Sequence, residues 1–235
     1  QFTLKEIIRQ TIFSIAANEN NKLMTGELFE VCDDFLRVVS LDGHRISIRK
    51  VQLKDHYENE MVIVPGKTLI EISKILSGET EKEVFLYFTN NHVLFEFDDT
   101  VVVSRLIEGK YFNVDQMLSN DYETRISVHK QELLDSIERS TLLIRESDKK
   151  PIIITVTDNG LEVAIRSAIG SLKEELLINK EGKDITIGFN PKFLIDALRV
   201  IDDETVDIYM VNSKAPCFIR DSEGAYIYLI LPVNI

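Results

Sequence analysis

The chain has 235 residues, a net charge of −12 and an apolar fraction of 44%. These values are ordinary for a globular protein, and no apolar stretch reaches the length of about 18 residues that a membrane-spanning helix needs. No segment resembles a signal peptide, so we expect a cytoplasmic protein with no membrane partner. The acidic balance argues against a strongly basic nucleic-acid-binding protein, because phosphate contacts need positive side chains.

The sequence offers no metal-ligand or cofactor motif. Cys32 and Cys217 fit neither a CxxC nor a Cys/His spacing, so we expect two reduced thiols. The segment Gly66-Lys67-Thr68 lacks the upstream glycine of a phosphate-binding loop. We therefore expect no cofactor and no metal.

Apolar residues at helical spacing predict an amphipathic helix over residues 3–17. Strands are then predicted at 23–31, 34–41 and 45–52, with the polar turns Asp33-Asp34 and Asp42-Gly43 between them. A second helix is predicted over 65–77, ending near Gly78, between the strand candidates 61–64 and 83–88. Residues 107–123 show no clear period and form the predicted connector.

The second half of the chain repeats this order about 125 residues later. Residues 65–76 read PGKTLIEISKIL and residues 190–201 read NPKFLIDALRVI. Helices are predicted at 129–145 and 191–201. Strands are predicted at 151–157, 160–167, 171–178, 185–189 and 205–210. Repetition at this period indicates two copies of one unit. We predict an α+β fold with domains 1–106 and 124–235, joined by the connector 107–123, and helices packed on one face of antiparallel sheets.

The four predicted helices are more basic than the rest of the chain. They carry nine basic residues: Lys5, Arg9, Lys67, Lys74, Lys130, Arg139, Arg145, Lys192 and Arg199. The same helices carry six acidic residues and are therefore net positive, so the net negative charge of the chain comes from residues outside them. Lys67 and Lys74 lie opposite the apolar face of their helix, and the repeat places Lys192 and Arg199 in the same way. The pattern is compatible with ordinary solvated charge or with a mild attraction to phosphate.

The segment Leu41-Asp42-Gly43-His44-Arg45-Ile46 allows two interpretations. Asp42 could orient His44 as a general base, although no nucleophile is placed beside it. Alternatively, Asp-Gly forms a tight hairpin turn between two strands, which is the favoured interpretation. We therefore expect no catalytic residue.

The C-terminal run from Tyr226 to Ile235 is apolar almost to its last residue. Pro232 lacks a ladder donor and is expected to end the final strand. Val233, Asn234 and Ile235 would then cross a neighbouring surface, where a linear peptide could bind.

Six segments together carry a resemblance to a known family: GELFE (26–30), SLDGHRISI (40–48), VIVPGKTLIEISKIL (62–76), SRLIEGKYFNVDQML (104–118), IGFNPKFLIDAL (187–198) and YLILPVNI (228–235). In order and over the whole chain, they resemble the bacterial DNA polymerase III sliding clamp, the beta subunit. The chain is similar to the second and third of three domains, and a preceding domain would fit a sequence that begins with Gln1. The resemblance implies a non-catalytic processivity factor, with helices on the inner face and sheets on the outer face of a ring.

The resemblance also implies a peptide-binding pocket. Its residues would be Met24, Leu41, Gly43, His44, Arg45, Ile46, Phe112, Gln116, Met117, Leu229, Ile230, Leu231, Pro232, Val233 and Asn234. A neighbouring subsite would hold Asn190, Phe193 and Pro216. The family usually has Pro where Phe112 stands, and often a basic residue at Gln116 and Asn234. Arg45 and the backbone near Gly43 would bind polar groups of the peptide.

The implied partners are duplex DNA, bound without sequence preference, and proteins with short linear motifs. These proteins would be replicative and translesion polymerases, the clamp loader and mismatch-repair proteins. Asn18, Lys67, Lys74, Lys192 and Arg199 would face DNA, and Leu143 and Ile144 would form the subunit interface of a homodimeric ring. We expect this chain alone to be monomeric. A peptide-binding adaptor that never meets DNA and a hydrolase centred on Asp42 and His44 are the competing hypotheses.

Overall fold

The computed structural model describes residues 1–18, 21–144, 150–221 and 223–235. The chain separates into two compact units, Gln1–Leu118 and Ser119–Ile235. This division falls inside the segment 107–123 that the sequence predicts as a connector. The predicted domain bounds themselves stay a prediction.

The described residues of the first unit form two α-helices and five strands. They are α1 (Phe2–Thr11), β1 (Gly26–Leu41), β2 (Arg45–Pro65), α2 (Gly66–Ile75), β3 (Phe85–Phe88), β4 (His92–Phe97) and β5 (Thr100–Arg105). Short 3-10 turns occupy Ile12–Ser14, Lys22–Thr25 and Val114–Met117. The prediction of a strand from residue 23 is therefore wrong for its first residues, and the predicted connector contains a 3-10 turn.

β1 and β2 form one long antiparallel ladder from the pair Gly26 and Pro65 to the pair Leu41 and Ile46. The predicted break at Asp33, which adopts a φ of 53°, is a place where β1 and β2 shift register. The extra residues lie on β2, and such irregularities bend a ladder without ending it. The separate strands predicted at 34–41 and 45–52 are therefore parts of longer ones. β3, β4 and β5 form a second antiparallel sheet.

The two helices of this unit lie on its core. Ile7 and Ile8 of α1 are buried with Leu69 and Ile72 of α2. Lys5, near the start of α1, donates from Nζ to the carbonyl of Leu76 at the end of α2, at 3.2 Å. The helices therefore run antiparallel.

Both helices are shorter than predicted. α1 ends at Thr11, six residues before the predicted end, because the β-branched and aromatic residues Thr11, Ile12 and Phe13 favour leaving the helix. Ala16 N then donates to Met24 O at 2.8 Å and holds the chain in an extended path. α2 ends at Ile75, since Leu76 is extended and buried, so Gly78 is not the cap.

In the second unit, the part of the chain that the structure describes forms two α-helices and nine strands. They are β6 (Thr124–His129), α3 (Lys130–Thr141), β7 (Ile152–Thr157), β8 (Gly160–Ser167), β9 (Gly170–Leu176), β10 (Ile178–Gly182), β11 (Ile185–Phe189), α4 (Pro191–Val200), β12 (Thr205–Met210), β13 (Cys217–Arg220) and β14 (Tyr226–Ile230). One group of strands has the order β14-β13-β12-β6-β10, and a four-stranded sheet has the order β11-β7-β8-β9.

The helix arrangement of the first unit recurs here. Lys130 at the start of α3 donates from Nζ to the carbonyl of Ile201, the residue that caps α4, at 2.7 Å. The structure thus confirms two copies of one α+β unit with antiparallel sheets. α3 ends at Thr141, before the predicted end at 145, and Arg145 lies outside the described residues.

Both cysteines are free thiols, as predicted. Cys217 is buried in β13, and this burial raises the pKa of its thiol to about 12. Among the described helices, none is both long and apolar enough to cross a membrane.

Candidate peptide-binding and DNA-facing surfaces

The Asp-Gly segment forms the tight turn that the sequence predicts between β1 and β2. Gly43 has a φ of +90°, a conformation that favours glycine. The backbone amide of His44 donates to Asp42 Oδ1 at 3.0 Å. The Asp42 side chain therefore caps the turn.

Arg45 is buried against the same turn, with 6% of its surface exposed. Its Nε donates to Asp42 Oδ2 at 2.9 Å, its Nη2 donates to the carbonyl of Phe13, and its guanidinium lies over the Phe13 ring at 5.6 Å. These contacts hold the hairpin against the turn after α1, and the binding of a peptide by this side chain stays a prediction. Phe13, which the sequence pattern places in the predicted helix 3–17, supports the Arg45 side chain through its carbonyl and its ring.

These contacts also weigh against the hydrolase hypothesis. Under that hypothesis Asp42 would orient the His44 ring, whereas its two carboxylate oxygens accept from the His44 amide and from Arg45 Nε. A carboxylate held in this way serves a turn and an ion pair.

The remaining candidates of the first unit divide into exposed and buried sets. Leu41 and Ile46 are buried, so they form the base of the surface. Met24 and Phe112 are half-buried. The exposed candidates are Gly43, His44, Gln116 and Met117, of which Met117 is 50% exposed. Their exposure leaves them available to a ligand.

In the second unit the C-terminal tail folds back over β11. β14 ends at Ile230, and Val233 N then donates to Gly188 O at 2.9 Å in an isolated antiparallel bridge. A Cβ on Gly188 would come within 2.9 Å of Val233 O. Gly188 is thus a position where only glycine allows this approach, and sequence reasoning missed it.

The start of α4 lies close to this tail in the fold. The side chain of Asn190 accepts from Lys192 N at 3.1 Å and caps the helix. The hydroxyl of Tyr228 in β14 donates to the carbonyl of Phe193 at 3.0 Å. α4 and the final strand are therefore tied together where the tail begins.

The candidates of the second unit consequently meet at one end of β14. Pro216 precedes Cys217, which pairs with Ile230 in the ladder. Leu229 and Ile230 are buried, whereas Leu231, Pro232, Val233 and Asn234 are partly or fully exposed. This end of the unit presents an apolar surface with a small number of polar groups, as ligand sites commonly do.

The side chains expected to face DNA are all at the surface. Asn18, Lys67, Lys74, Lys192 and Arg199 are exposed. Lys74 Nζ lies 2.7 Å from Glu71 Oε1, and Arg199 Nη2 lies 2.8 Å from Glu138 Oε1. These carboxylates reduce the positive potential of the helices, which agrees with a mild attraction to phosphate.

Other helical cations also have partners within the protein. Arg9 pairs with Glu6 on α1, and Arg139 makes two bonds of 2.7 and 2.6 Å with Glu174 in β9. Lys5 and Lys130 donate to helix-end carbonyls. The count of nine basic residues therefore overstates the charge that a ligand would meet.

An apolar surface follows α3. Leu142 is 77% exposed, while Leu143 and Ile144, the residues implied by the resemblance, are half-buried. A Cβ on Gly170 would lie 3.5 Å from Leu143 Cδ2, so the exposed Ile169 is close to this segment. Leu142 and Ile169 add exposed apolar surface beside the two residues of the predicted interface.

The chain thus consists of two clamp-type domains, each with an antiparallel helix pair on antiparallel sheets. The family profile described as DNA polymerase III beta subunit, central domain, matches residues 1–113. The profile for the C-terminal domain of the same subunit matches residues 115–234. The chain belongs to the DNA polymerase III beta subunit family.

Relatives and solved structures agree with these profiles. The beta sliding clamp of Staphylococcus aureus strain Mu50 is 34% identical over 98% of this chain and 62% of the relative. The crystal structure of a putative DNA polymerase III beta subunit from Eubacterium rectale is 66% identical, with a TM-score of 0.98 over 100% of this chain and 64% of that one. The sliding clamp of Bacillus subtilis is 31% identical, with a TM-score of 0.95 over 99% and 62%. The chain therefore spans somewhat less than two thirds of these proteins.

Proposed function

We propose that this chain forms two domains of a DNA sliding clamp, a non-catalytic factor that keeps a replicative polymerase on duplex DNA. One observation carries the proposal: both units present an antiparallel helix pair with exposed cations at matched positions. Lys67 and Lys192 are 125 residues apart, as are Lys74 and Arg199, and all four are exposed. Matched charges in both copies suit one repeating polyanion.

The charge balance on these helices suits sliding better than tight binding. Each firm phosphate contact adds affinity that falls with salt, and a protein with many such contacts would resist movement along the duplex. Here Glu71 and Glu138 lie against two of the four cations. Retention would then come from a closed ring, formed by two copies of the full-length protein, and not from affinity.

The second part of the proposal is that the exposed pocket candidates bind short linear motifs of polymerases, the clamp loader and mismatch-repair proteins. Met24, Met117, Leu231 and Val233 offer adaptable apolar contacts. Burial of an apolar peptide side chain contributes about 1.5–3 kcal/mol. After ordering costs, two or three such side chains correspond to micromolar binding, about −8 kcal/mol. Weak binding allows partners to exchange.

Charge reversal tests the DNA contact and separates the clamp from the adaptor. Lys67, Lys74, Lys192 and Arg199 are changed to Glu in the full-length protein, and primer extension in a single binding event is measured after loading. We expect shorter products, since the helices would repel phosphate. Reversal of Lys173 and Lys183, exposed cations in β9 and beside β10, is the matched control. Unchanged products from the fourfold variant would favour the adaptor.

Peptide titration tests the pocket independently of DNA. A pentapeptide of the clamp-binding type is titrated against the chain and against Met24→Ala and Pro232→Ala by calorimetry. We expect micromolar binding that weakens about tenfold or more in either variant. Equal affinity for all three proteins would contradict the assignment of these residues.

A further inference from the structure

A cavity of about 1040 Å³ lies in the first unit, between the chain that follows α1, the start of α2 and the end of β5. All of its described lining residues belong to this unit. Its volume reaches the range of ligand pockets, roughly 300–1,000 Å³. Apart from Lys67, none of these lining residues belongs to the DNA-facing or peptide-binding sets described above.

The apolar part of the lining is mainly aliphatic. It includes Ile12, Ile15, Pro65, Ile70 and Ile107. A Cβ on Gly66 would overlap the Ile15 side chain and come within 2.9 Å of Thr25 O, so α2 begins in direct contact with the chain after α1. Ala16 N donates to Met24 O at 2.8 Å and fixes the path of that chain. The aliphatic surface is therefore built on packed backbone.

The charged part of the lining is positive. Lys22, Lys67 and Arg105 are exposed at the cavity, and Glu108 is the one acidic residue among the described lining residues. Glu108 Oε1 lies 3.1 Å from Arg105 Nη2 and offsets part of its charge. Because three cations accompany one carboxylate, the cavity attracts an anionic ligand and repels a cationic one. A ligand with both aliphatic and acidic groups matches this lining.

A peptide fits the cavity better than nucleic acid does. Single-stranded nucleic acid is held largely by stacking of its bases on aromatic side chains. Phe13 is the one aromatic residue among the described lining residues, and the guanidinium of Arg45 lies over its ring at 5.6 Å. The isoleucines offer no such stacking surface, whereas they can bury aliphatic side chains of a peptide.

The internal repeat also favours a peptide. Ile107 N donates to Ile63 O, and Val233 N donates to Gly188 O, both at 2.9 Å. Ile63 and Gly188 are separated by the spacing of the repeat, so Ile107 corresponds to Val233. Val233 belongs to the surface proposed above for linear motifs, and the same fold position therefore borders a candidate ligand site in both units. This comparison rests on the proposed function, whereas the cavity and its charges do not.

We propose that this cavity binds an extended acidic segment of a partner protein, with aliphatic side chains at alternate positions. Successive side chains of an extended peptide point to opposite sides. The aliphatic side chains would therefore contact the isoleucines of the lining, and the carboxylates on the other side would lie near Lys22, Lys67 and Arg105.

The probe is the pentapeptide Glu-Leu-Glu-Leu-Glu, labelled with fluorescein at its start and amidated at its end. Anisotropy is measured with the full-length protein and without DNA, because Lys67 also belongs to the proposed DNA-facing set. We expect saturable binding that weakens at least about tenfold when Lys replaces each Glu of the peptide, or when Ser replaces each Leu. An excess of oligothymidylate should not displace the peptide.

Two pairs of protein variants locate the binding. Ile70→Glu places a carboxylate in the cavity at an exposed position and should weaken binding at least about tenfold. Ile75→Glu, at an exposed position of the same helix outside the lining, should leave the affinity within about twofold. Arg105→Glu should also weaken binding about tenfold. Lys183→Glu is its matched control, because both side chains are 72% exposed and paired with a glutamate.

Pro232→Ala separates this proposal from the proposed function. It should weaken the clamp-binding pentapeptide and leave the acidic peptide within about twofold. Equal affinity of Ile70→Glu and Ile75→Glu, equal binding of either altered peptide, displacement by oligothymidylate, or no binding to the full-length protein would overturn the cavity proposal. A clamp-binding pentapeptide that still binds in that case leaves the proposed function standing.

Discussion

Glu27 is fully buried near the start of β1, close to the end of α1. Burial raises the pKa of its carboxyl to about 8, and neither carboxyl oxygen has a hydrogen-bond partner among the described residues. The nearby Thr11 hydroxyl donates to Ile7 O at 2.7 Å. The buried carboxyl therefore has no donor to stabilise its charge, which favours the neutral form in the folded protein.

This residue makes stability depend on pH in a defined direction. The unfolded chain releases the proton of Glu27 near pH 4.5 and the folded chain near pH 8, so unfolding is favoured as pH rises between these values. Glu27→Gln should remove a slope of about 1.4 kcal/mol per pH unit. Urea unfolding at pH 5, 6 and 7 measures it, with the exposed Glu58→Gln as control. Parallel profiles for wild type and Glu27→Gln would contradict the buried neutral carboxyl.

Gly188 provides a test of the tail position. Gly188→Ala would place a Cβ 2.9 Å from Val233 O, so the tail must move. We expect the affinity for a clamp-binding peptide to fall at least about tenfold while the melting temperature changes little. Gly78→Ala is the matched control, because a Cβ there meets nothing within 4 Å. If Gly188→Ala kept its affinity for the peptide, the position of the tail would not contribute to peptide binding.

For single residues, the sequence predicts which residues lie at a turn better than it predicts what their side chains contact. The Asp42-Gly43 turn is predictable because its chemistry is local. The burial of Arg45 is not, since it depends on Phe13, a residue 32 positions away whose carbonyl and ring face the guanidinium. The same limit applies to Gly188, whose importance appears only when the tail crosses it.

A buried ion pair between Asp42 and Arg45 stabilises the turn of the hairpin between β1 and β2. Asp42→Ala would remove both turn bonds and leave the buried Arg45 without its carboxylate. Loss of one partner from a buried pair costs about 3 kcal/mol. Chemical unfolding measures the change, and Asp99→Ala, at the exposed turn between β4 and β5, serves as control. A loss similar to that of the control would show that the pair does not stabilise the hairpin.

Elements with strong periodicity are well predicted, and their ends are not. The strands β11 and β12 have the predicted bounds, because alternation and flanking polar residues define them. α1 ends six residues early because the apolar spacing continues through Ile15, although Thr11, Ile12 and Phe13 leave the helix. The continuity of β1 through Asp33 also escapes prediction, since a bulge and a turn have similar composition.

On the scale of the whole molecule, the exposed Leu142 implies an interface that this chain alone does not complete. Together with Ile169 it leaves apolar surface open on the second unit. We expect the chain to sediment as a monomer at micromolar concentration, because its partner surface would belong to a preceding domain. In the full-length protein Leu142→Arg should weaken the dimer about tenfold or more. A tight dimer of the present chain, unaffected by Leu142→Arg, would refute this interface.

The presence of two similar domains could be predicted because similar segments occur twice in the sequence, at residues 65–76 and 190–201. The lysine contacts that hold each helix pair together, from Lys5 to Leu76 and from Lys130 to Ile201, could not be predicted, because the residues of each contact lie far apart in the sequence.

Photocrosslinking to DNA tests the central claim, that the helix pairs face the duplex. In the full-length protein loaded on circular DNA, a benzophenone amino acid replaces Lys67 or Lys192 on the helices. The control positions are Tyr87 and Leu177, which are exposed and lie outside the helices. We expect crosslinks from positions 67 and 192 that disappear when the circle is cut and the clamp slides off. Crosslinks of equal or greater yield from positions 87 and 177 would contradict it.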